Sequence, residues 1–219
     1  MPKKTFTNLN EAKKKVLTDA FLKEFSTHTF DDASLSSVVK SLGIAKGSVY
    51  QYFEDKQDLF LYLVGICSAK KTEYFENVKR ESYPNYWEYF RDLYKKGIRF
   101  DLENPQQSHF LFNLVNNLNS PSVKVIFDSL LNNIISEFEK MINHEIELGL
   151  FRTDLPPKTM AFLLYKSGVA IQEQLEVFGE INPKESIRNN TPVYLGKEKV
   201  LMQTVDNYIE LLKPTFNKK

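Results

Sequence analysis

The chain has little of what enzymes and secreted proteins depend on. Its single cysteine, Cys67, excludes an internal disulfide and lies in an apolar helical run, which predicts a buried side chain. The three histidines, His28, His109 and His144, are scattered, and His144-Glu145 lacks the second histidine of a HExxH zinc site. Neither a GxxxxGK[ST] phosphate loop nor a GxSxG elbow occurs. The sequence therefore predicts no enzyme, no cofactor and no metal site.

Long apolar runs are also missing. No stretch of about eighteen apolar residues exists, so no membrane span is expected. Residues 1–8 lack the apolar core of a signal peptide, which favours a cytoplasmic protein. The net charge is only +1, and residues 1–50 hold eight lysines against five acids. Non-specific binding to DNA is therefore expected to be weak.

Helical periodicity dominates the whole chain, and no strand alternation competes with it. We expect an all-α protein of about nine helices. The first helix begins after Asn8, a plausible N-cap, and continues for about twenty residues. A second, short helix runs from Ser34 to Leu42, where Gly43 ends it. The next helix begins three or four residues later.

This spacing is that of a helix-turn-helix. The alternative is an ordinary corner between two core helices. On the helix after the turn, Val49, Tyr52 and Phe53 fall on one side, whereas Tyr50 and Gln51 fall on the other. One side is therefore suited to packing and the other to contacts with solvent or a partner.

The identities of these residues add a specific signal. The segment Lys46-Gly47-Ser48-Val49-Tyr50-Gln51-Tyr52-Phe53, followed by Lys56 and Asp58-Leu59, resembles the signature of the tetracycline-repressor (TetR) family of bacterial transcription regulators. The resemblance covers about residues 29–59. It implies an N-terminal three-helix DNA-binding domain, placed at 1–56, and a C-terminal helical domain for ligand binding and dimerisation, placed at 57–219.

The resemblance also assigns roles in binding a double-stranded DNA operator. Lys46, Ser48 and Gln51 would face base edges, while Gly47 would permit close approach of the backbone. Phosphate contacts are expected from Tyr50, Tyr52 and Lys56; the alternative for Tyr52 is packing in the core. Ser34, at the start of the second helix, is a further candidate, because a helix N-terminus favours an anion. The sequence departs from the family pattern at Ala33, Ser36 and Ala45, which removes possible phosphate contacts.

The C-terminal part continues as helices. A long helix is expected from Asp58 to about Arg80, and residues 179–196 are expected to form a loop. In the last two helices, apolar residues recur at steps of three and four, which predicts a helix–helix seam. Its residues are Ala161, Leu164, Gly168, Ile171, Leu175, Leu201, Val205 and Tyr208. The seam indicates either a homodimer interface, as the resemblance implies, or packing within one chain. A second apolar set, Phe162, Leu163, Tyr165 and Val169, covers another face.

Aromatic side chains are the candidates for an effector pocket. The predicted pocket residues are five aromatic residues and one amide: Trp87, Phe90, Tyr94, Phe110, Asn113 and Tyr165. We therefore expect a homodimeric transcription regulator, a repressor that an unidentified small-molecule effector releases from a palindromic operator. One alternative is a dimeric DNA-binding protein that has no small ligand and responds to a protein partner or acts architecturally. The other is a helical interaction or enzymatic protein in which the apparent recognition helix serves only packing.

Overall fold

The computed structural model describes residues 1–45, 47–116 and 121–218. Within these ranges the chain forms eleven α-helices, and the all-α prediction is confirmed, with nine helices close to the observed number. The helices are Lys4–Thr7 (α1), Glu11–Thr27 (α2), Leu35–Ser41 (α3), Ser48–Tyr52 (α4), Lys56–Thr72 (α5), Tyr86–Glu103 (α6), Pro105–Asn116 (α7), Lys124–Glu147 (α8), Pro157–Val177 (α9), Pro183–Asn189 (α10) and Glu198–Phe216 (α11). Two 3₁₀ turns, Arg80–Ser82 and Pro121–Val123, complete the helical structure.

The chain divides into two compact units, each assembled from separate segments. The first unit consists of Met1–Tyr74, Phe100–Lys124 and Pro183–Val193, and the second of Phe75–Arg99, Val125–Asn182 and Tyr194–Lys219. This division follows packing rather than a single cut in the sequence. The division into a DNA-binding domain at 1–56 and a regulatory domain after it remains a prediction about function.

A phenylalanine cluster forms the core of the first unit. Phe60 on α5 lies 5.3 Å from Phe25, 5.2 Å from Phe30 and 5.6 Å from Phe110 between ring centroids. All four side chains are buried. Because Phe110 belongs to α7, this cluster holds α2, α5 and α7 together. Cys67 on α5 is fully buried as predicted, and burial raises the pKa of its thiol to about 12.

Several boundaries differ from the sequence-based expectation. Asn10, not Asn8, caps α2, since its side chain accepts a hydrogen bond from the Lys13 backbone N–H at 2.8 Å. The helix expected to reach Arg80 ends at Thr72. Two residues later the Tyr74 hydroxyl donates to Glu103 and accepts from Asn104, both at 2.6 Å, and these contacts to the end of α6 fix the chain in a turn.

Two short helices were not expected. α1 lies in the N-terminal segment, and α10 lies inside the stretch 179–196 that was expected to be a loop. α10 contacts α2 and α7. The buried His109 imidazole lies 2.8 Å from the Thr191 carbonyl oxygen just beyond α10. Tertiary contacts therefore order a segment whose composition favours a turn.

The second unit is held by α9 against α11 and by an aromatic cluster of Trp87, Phe151 and Phe216. The Trp87 indole N–H donates to the Asn217 side-chain oxygen at 2.9 Å. The Arg91 guanidinium on α6 binds the Asp206 carboxylate on α11 through two hydrogen bonds of 2.6 and 3.0 Å. Together these contacts attach α6 to the C-terminal helix.

No helix in the described residues is long and apolar enough to cross a membrane. The same residues contain no group of three or more histidine, cysteine, aspartate or glutamate side chains placed to hold a metal ion.

Candidate nucleic-acid interface

The predicted helix-turn-helix corresponds to α3, a turn at Leu42 and Gly43, and α4. Gly43 adopts a φ of +66°, in the left-handed region that glycine tolerates without strain. The Ile44 N–H bonds the Val39 carbonyl oxygen at 3.1 Å and thereby closes the end of α3. This geometry confirms the predicted end of the second helix at Gly43.

α4 has one buried side and one exposed side. Val49 is 1% exposed and Tyr52 8%, whereas Tyr50 is 52% exposed. Gln51 is also exposed, and Ser48 is half-buried. The exposed side therefore presents a phenol and a carboxamide, and both can donate and accept hydrogen bonds. Lys46, predicted to face a base edge, lies outside the described residues.

Gly47 immediately precedes α4 with an ordinary φ of −73°. A Cβ built at this position would meet no atom within 4 Å among the described residues outside its immediate neighbours. Neither the backbone conformation nor the packing of these residues explains a glycine here. The close approach of a DNA backbone at Gly47 remains a prediction.

The N-terminal segment supports α4 from its C-terminal end. A helix of five residues leaves its last carbonyl groups without partners of its own. The Lys3 backbone N–H donates to the Tyr52 carbonyl at 2.8 Å, and the Lys3 ammonium donates to the Tyr50 carbonyl at 3.0 Å. The Thr5 hydroxyl donates to the Gln51 carbonyl. Three consecutive carbonyls of α4 are thus bonded by residues 3–5.

Packing reinforces these bonds. Phe6 on α1 is 3% exposed, and its ring lies 5.8 Å from Tyr52, 4.9 Å from Phe53 and 5.3 Å from Tyr62. Tyr52 is therefore part of the core in this chain, which favours the packing alternative over the predicted phosphate contact. We refer to residues 3–6 as the N-terminal brace.

Ser34 is placed where a phosphate contact was predicted, at the N-cap of α3. Its hydroxyl oxygen accepts hydrogen bonds from the Ser37 N–H at 3.2 Å and the Ser37 hydroxyl at 3.0 Å. A hydroxyl has two acceptor sites and one donor. Because both acceptor sites are used within the protein, the O–H is the group that can donate a hydrogen bond to a phosphate oxygen. The Ser34 backbone N–H is bound by Glu24 at 2.7 Å.

Lys56 makes contacts within the first unit. Its ammonium lies 5.0 Å from the centroid of the Phe30 ring and donates to the Asp31 carbonyl at 3.3 Å. Burial lowers its pKa, against the opposing effect of the neighbouring Asp31, Asp32 and Glu24 carboxylates. A phosphate contact by Lys56 would have to replace these interactions, so its role in DNA binding remains a prediction.

The residues predicted to line a pocket are divided between the two units. Phe110 and Asn113 belong to the first unit, whereas Trp87, Phe90, Tyr94 and Tyr165 belong to the second. The Asn113 amide donates to the Phe25 carbonyl at 3.0 Å and the His28 carbonyl at 2.9 Å, which attaches α7 to the end of α2. Both Asn113 and the buried rings of Trp87, Phe90 and Phe110 thus have structural roles within their own units.

The predicted dimer seam is largely buried within one chain. Ala161 and Leu164 are 0% exposed, and Val205 is 0% exposed as well. Ile171, Leu175 and Leu201 are also buried, while Gly168 and Tyr208 are half-buried. A Cβ at Gly168 would lie 3.3 Å from the Tyr94 hydroxyl oxygen, so this glycine permits close contact with α6. The intramolecular alternative therefore explains the seam, and homodimerisation itself remains a prediction.

Fold and site together define a class: an all-helical protein whose N-terminal helix-turn-helix presents a short exposed helix. The family model described as "Bacterial regulatory proteins, tetR family" matches residues 17–63, which include α3, α4 and the first half of α5. Residues 17–63 are thus assigned to this TetR family, and the chain as a whole is similar to a member of it.

Individual relatives agree with this assignment. The HTH-type transcriptional regulator AcrR of Shigella flexneri is 35% identical over 60 residues, which span 27% of each chain. A TetR family transcriptional regulator of Chloroflexus aurantiacus is 27% identical, with a TM-score of 0.77 over 100% of both chains. SmeT, the repressor of a Stenotrophomonas maltophilia multidrug efflux pump, shares the fold with a TM-score of 0.59 at 15% identity, over 94% of this chain and 90% of that one.

Sequence reasoning missed the N-terminal brace. Its signal was a single buried phenylalanine, Phe6, in an otherwise polar segment, and the two lysines beside it favoured a solvated arm. Two of the three hydrogen bonds to α4 are donated by side chains. The third is donated by a backbone N–H, which nearly every residue type has, so the sequence gives no sign of it.

The brace leads to a prediction for Lys3→Pro. The φ of Lys3 is −71°, which proline adopts, so the substitution removes the backbone N–H and the ammonium without backbone strain. The two lost hydrogen bonds correspond to about 1–3 kcal/mol. If α4 is ordered in only a fraction of the molecules, the apparent affinity for DNA falls in proportion to that fraction. We expect a fivefold to hundredfold loss of DNA affinity in fluorescence anisotropy titrations, and a Tm lowered by several degrees.

Lys4→Pro is the matched control, because it places proline at the first residue of α1, where helices accept it. Equal DNA affinity of Lys3→Pro and Lys4→Pro would contradict a role for the brace.

Proposed function

We propose that the protein is a sequence-specific DNA-binding transcription regulator that acts as a homodimeric repressor. The observation that carries this proposal is the exposed side of α4. Tyr50 and Gln51 project from a helix whose opposite side is packed in the core and whose C-terminal end is held by the brace. A rigid helix with a polar exposed side is what enters the DNA major groove in helix-turn-helix proteins.

The residues predicted to contact DNA differ in the part of the duplex that their chemistry suits. The Gln51 carboxamide can bind adenine through two hydrogen bonds, which contributes about 1–3 kcal/mol of discrimination. Lys46 can reach guanine, and Ser48 accepts more than one base. Tyr50 and the Ser34 hydroxyl would bind phosphates, which position the helix without reading the sequence.

A homodimer would use apolar surface next to the predicted seam. Phe162 and Leu163 on α9 are 47% and 42% exposed, and Val177 at the end of the same helix is 78% exposed. About four helical turns separate these positions, so they lie on related faces. Phe162 and Leu163 belong to the second apolar set of the sequence. In such a dimer the two recognition helices, one α4 from each subunit, would lie about 34 Å apart, which is one turn of DNA, over a pseudo-palindromic operator.

Regulation by a small molecule is the remaining part of the proposal. SmeT, which shares the fold, has been solved in complex with triclosan. Its TM-score is 0.62 at 15% identity over 95% of this chain and 93% of that one, so the likeness concerns the fold alone. By analogy we propose an effector that weakens operator binding, for which a coupling of about 1–3 kcal/mol, or fivefold to hundredfold, is sufficient.

Selection of sequences from a randomised duplex pool near physiological salt tests DNA reading. The wild-type protein should enrich an inverted repeat, and Gln51→Ala should lose preference at one base pair in each half-site, because the carboxamide no longer pairs with adenine. Thr27→Ala, on the last residue of α2, should leave the preference unchanged. Identical enriched sequences for wild type and Gln51→Ala would remove Gln51 from the reading surface, and no enrichment at any salt would refute DNA recognition.

Sedimentation velocity tests the proposed dimer face. Phe162→Lys should convert the dimer to monomers, because it places a charge in an apolar interface. Val16→Lys, at a 56% exposed apolar position on α2, should leave the dimer intact. Dimers that persist in Phe162→Lys with unchanged affinity would exclude this face of α9.

A further inference from the structure

The start of α3 is bonded by a side chain of α2. The Glu24 carboxylate accepts a hydrogen bond from the Ser34 backbone N–H at 2.7 Å. Glu24 lies in the last turn of α2, and Ser34 is the N-cap of α3. A hydrogen bond to an ionised acceptor is roughly twice as strong as one between neutral groups. This bond therefore ties the N-cap of α3 to the end of α2.

α3 depends on such a contact because it is only seven residues long. A helix of this length is not stable alone in water. Val38 and Val39 bury one side of it, but the packing of apolar side chains is non-directional. The Ser34 hydroxyl closes the first turn from within the same segment, by accepting from the Ser37 N–H. The Glu24 bond, by contrast, fixes one backbone atom of the N-cap against another helix.

Glu24 is itself held in place. Its side chain is half-buried, and the His28 Nδ1 atom lies 3.4 Å from the same carboxylate oxygen that Ser34 binds. The Asn113 amide on α7 donates to the backbone carbonyls of Phe25 and His28, which fixes the last turn of α2. The acceptor of the Ser34 N–H therefore lies on a well-supported part of the first unit.

The Glu24 carboxylate has two opposite effects on a DNA phosphate near Ser34. Its negative charge repels the phosphate. Its hydrogen bond holds the backbone of Ser34, whose hydroxyl is predicted to donate to that phosphate. The Ser37 N–H and hydroxyl bind the Ser34 hydroxyl oxygen, so holding the backbone also holds this oxygen. Because the two effects differ in sign, substitutions that remove only one of them can separate them.

We propose that Glu24 is a positioning residue for DNA binding, which holds the Ser34 hydroxyl where it can donate to a phosphate. This role rests on the proposed DNA-binding function and adds to it a residue that does not itself contact DNA. The DNA-binding residues predicted from the sequence extend from Ser34 to Lys56, so none of them belongs to α2.

Fluorescence anisotropy of the full chain, with the duplex that the wild type enriches, tests the proposal. Glu24→Ala removes the charge and the acceptor, whereas Glu24→Gln removes the charge and keeps an acceptor oxygen. We expect Glu24→Ala to bind about two- to tenfold more weakly, as for one lost hydrogen bond, and Glu24→Gln to recover most of this loss. Binding by Glu24→Ala that is unchanged or tighter, or a Glu24→Gln variant as weak as Glu24→Ala, would overturn the proposal.

Ser34→Gly tests whether Glu24 acts through the Ser34 hydroxyl. Glycine keeps the backbone N–H and is an acceptable N-cap, but it has no hydroxyl. In the Ser34→Gly background, Glu24→Ala should cause no further loss of affinity, because the phosphate contact is already absent. An equal loss in both backgrounds would show that Glu24 acts elsewhere. Glu11→Ala is the matched control for charge, since it removes a carboxylate from the exposed first turn of α2, and it should cause no loss.

The Ser34 amide proton in the free, isotope-labelled chain reports the bond without DNA, because a hydrogen bond to a carboxylate deshields it. Its resonance should move upfield in Glu24→Ala and much less in Glu24→Gln. An unchanged resonance in Glu24→Ala would refute the positioning role even where the wild type binds DNA. A resonance that moves as expected in a protein that binds no duplex would instead refute the proposed function, and the role of Glu24 in DNA binding with it.

Discussion

The geometry of the candidate interface depends on how a five-residue helix is held. A helix as short as α4 is unstable alone, because nucleation fixes several residues for few hydrogen bonds. The chain supplies the missing bonds from residues 3–5, and it supplies packing through Phe6, Val49 and Tyr52. These bonds go to backbone carbonyls of α4, so they do not use the Gln51 side chain.

Hydrogen bonds and packing between segments distant in the sequence also explain which features the sequence could and could not predict. The turn at Gly43 and the exposed position of Gln51 follow from short-range patterns, and the structure has them. The N-terminal brace and α10 depend on contacts between segments far apart in the chain, which periodicity does not encode. The capping residue of α2 was misplaced by two positions because two asparagines precede that helix.

The C-terminal half shows a related limit. A seam such as Ala161, Leu164 and Ile171 predicts that these residues are buried, and they are. The pattern does not tell whether the partner helix belongs to the same chain or to another one. Aromatic content was equally ambiguous, because rings that stabilise a core and rings that line a pocket have the same composition.

Mapping of amide chemical shifts during titration of the full, isotope-labelled chain with duplex DNA tests the central claim most directly. At physiological salt, the account predicts that the largest changes fall at Ser34 and along Gly47–Gln51, with small changes in α9 and α11. Saturable DNA binding that leaves the amides of α4 unperturbed would contradict it, because α4 would then be only a packing element.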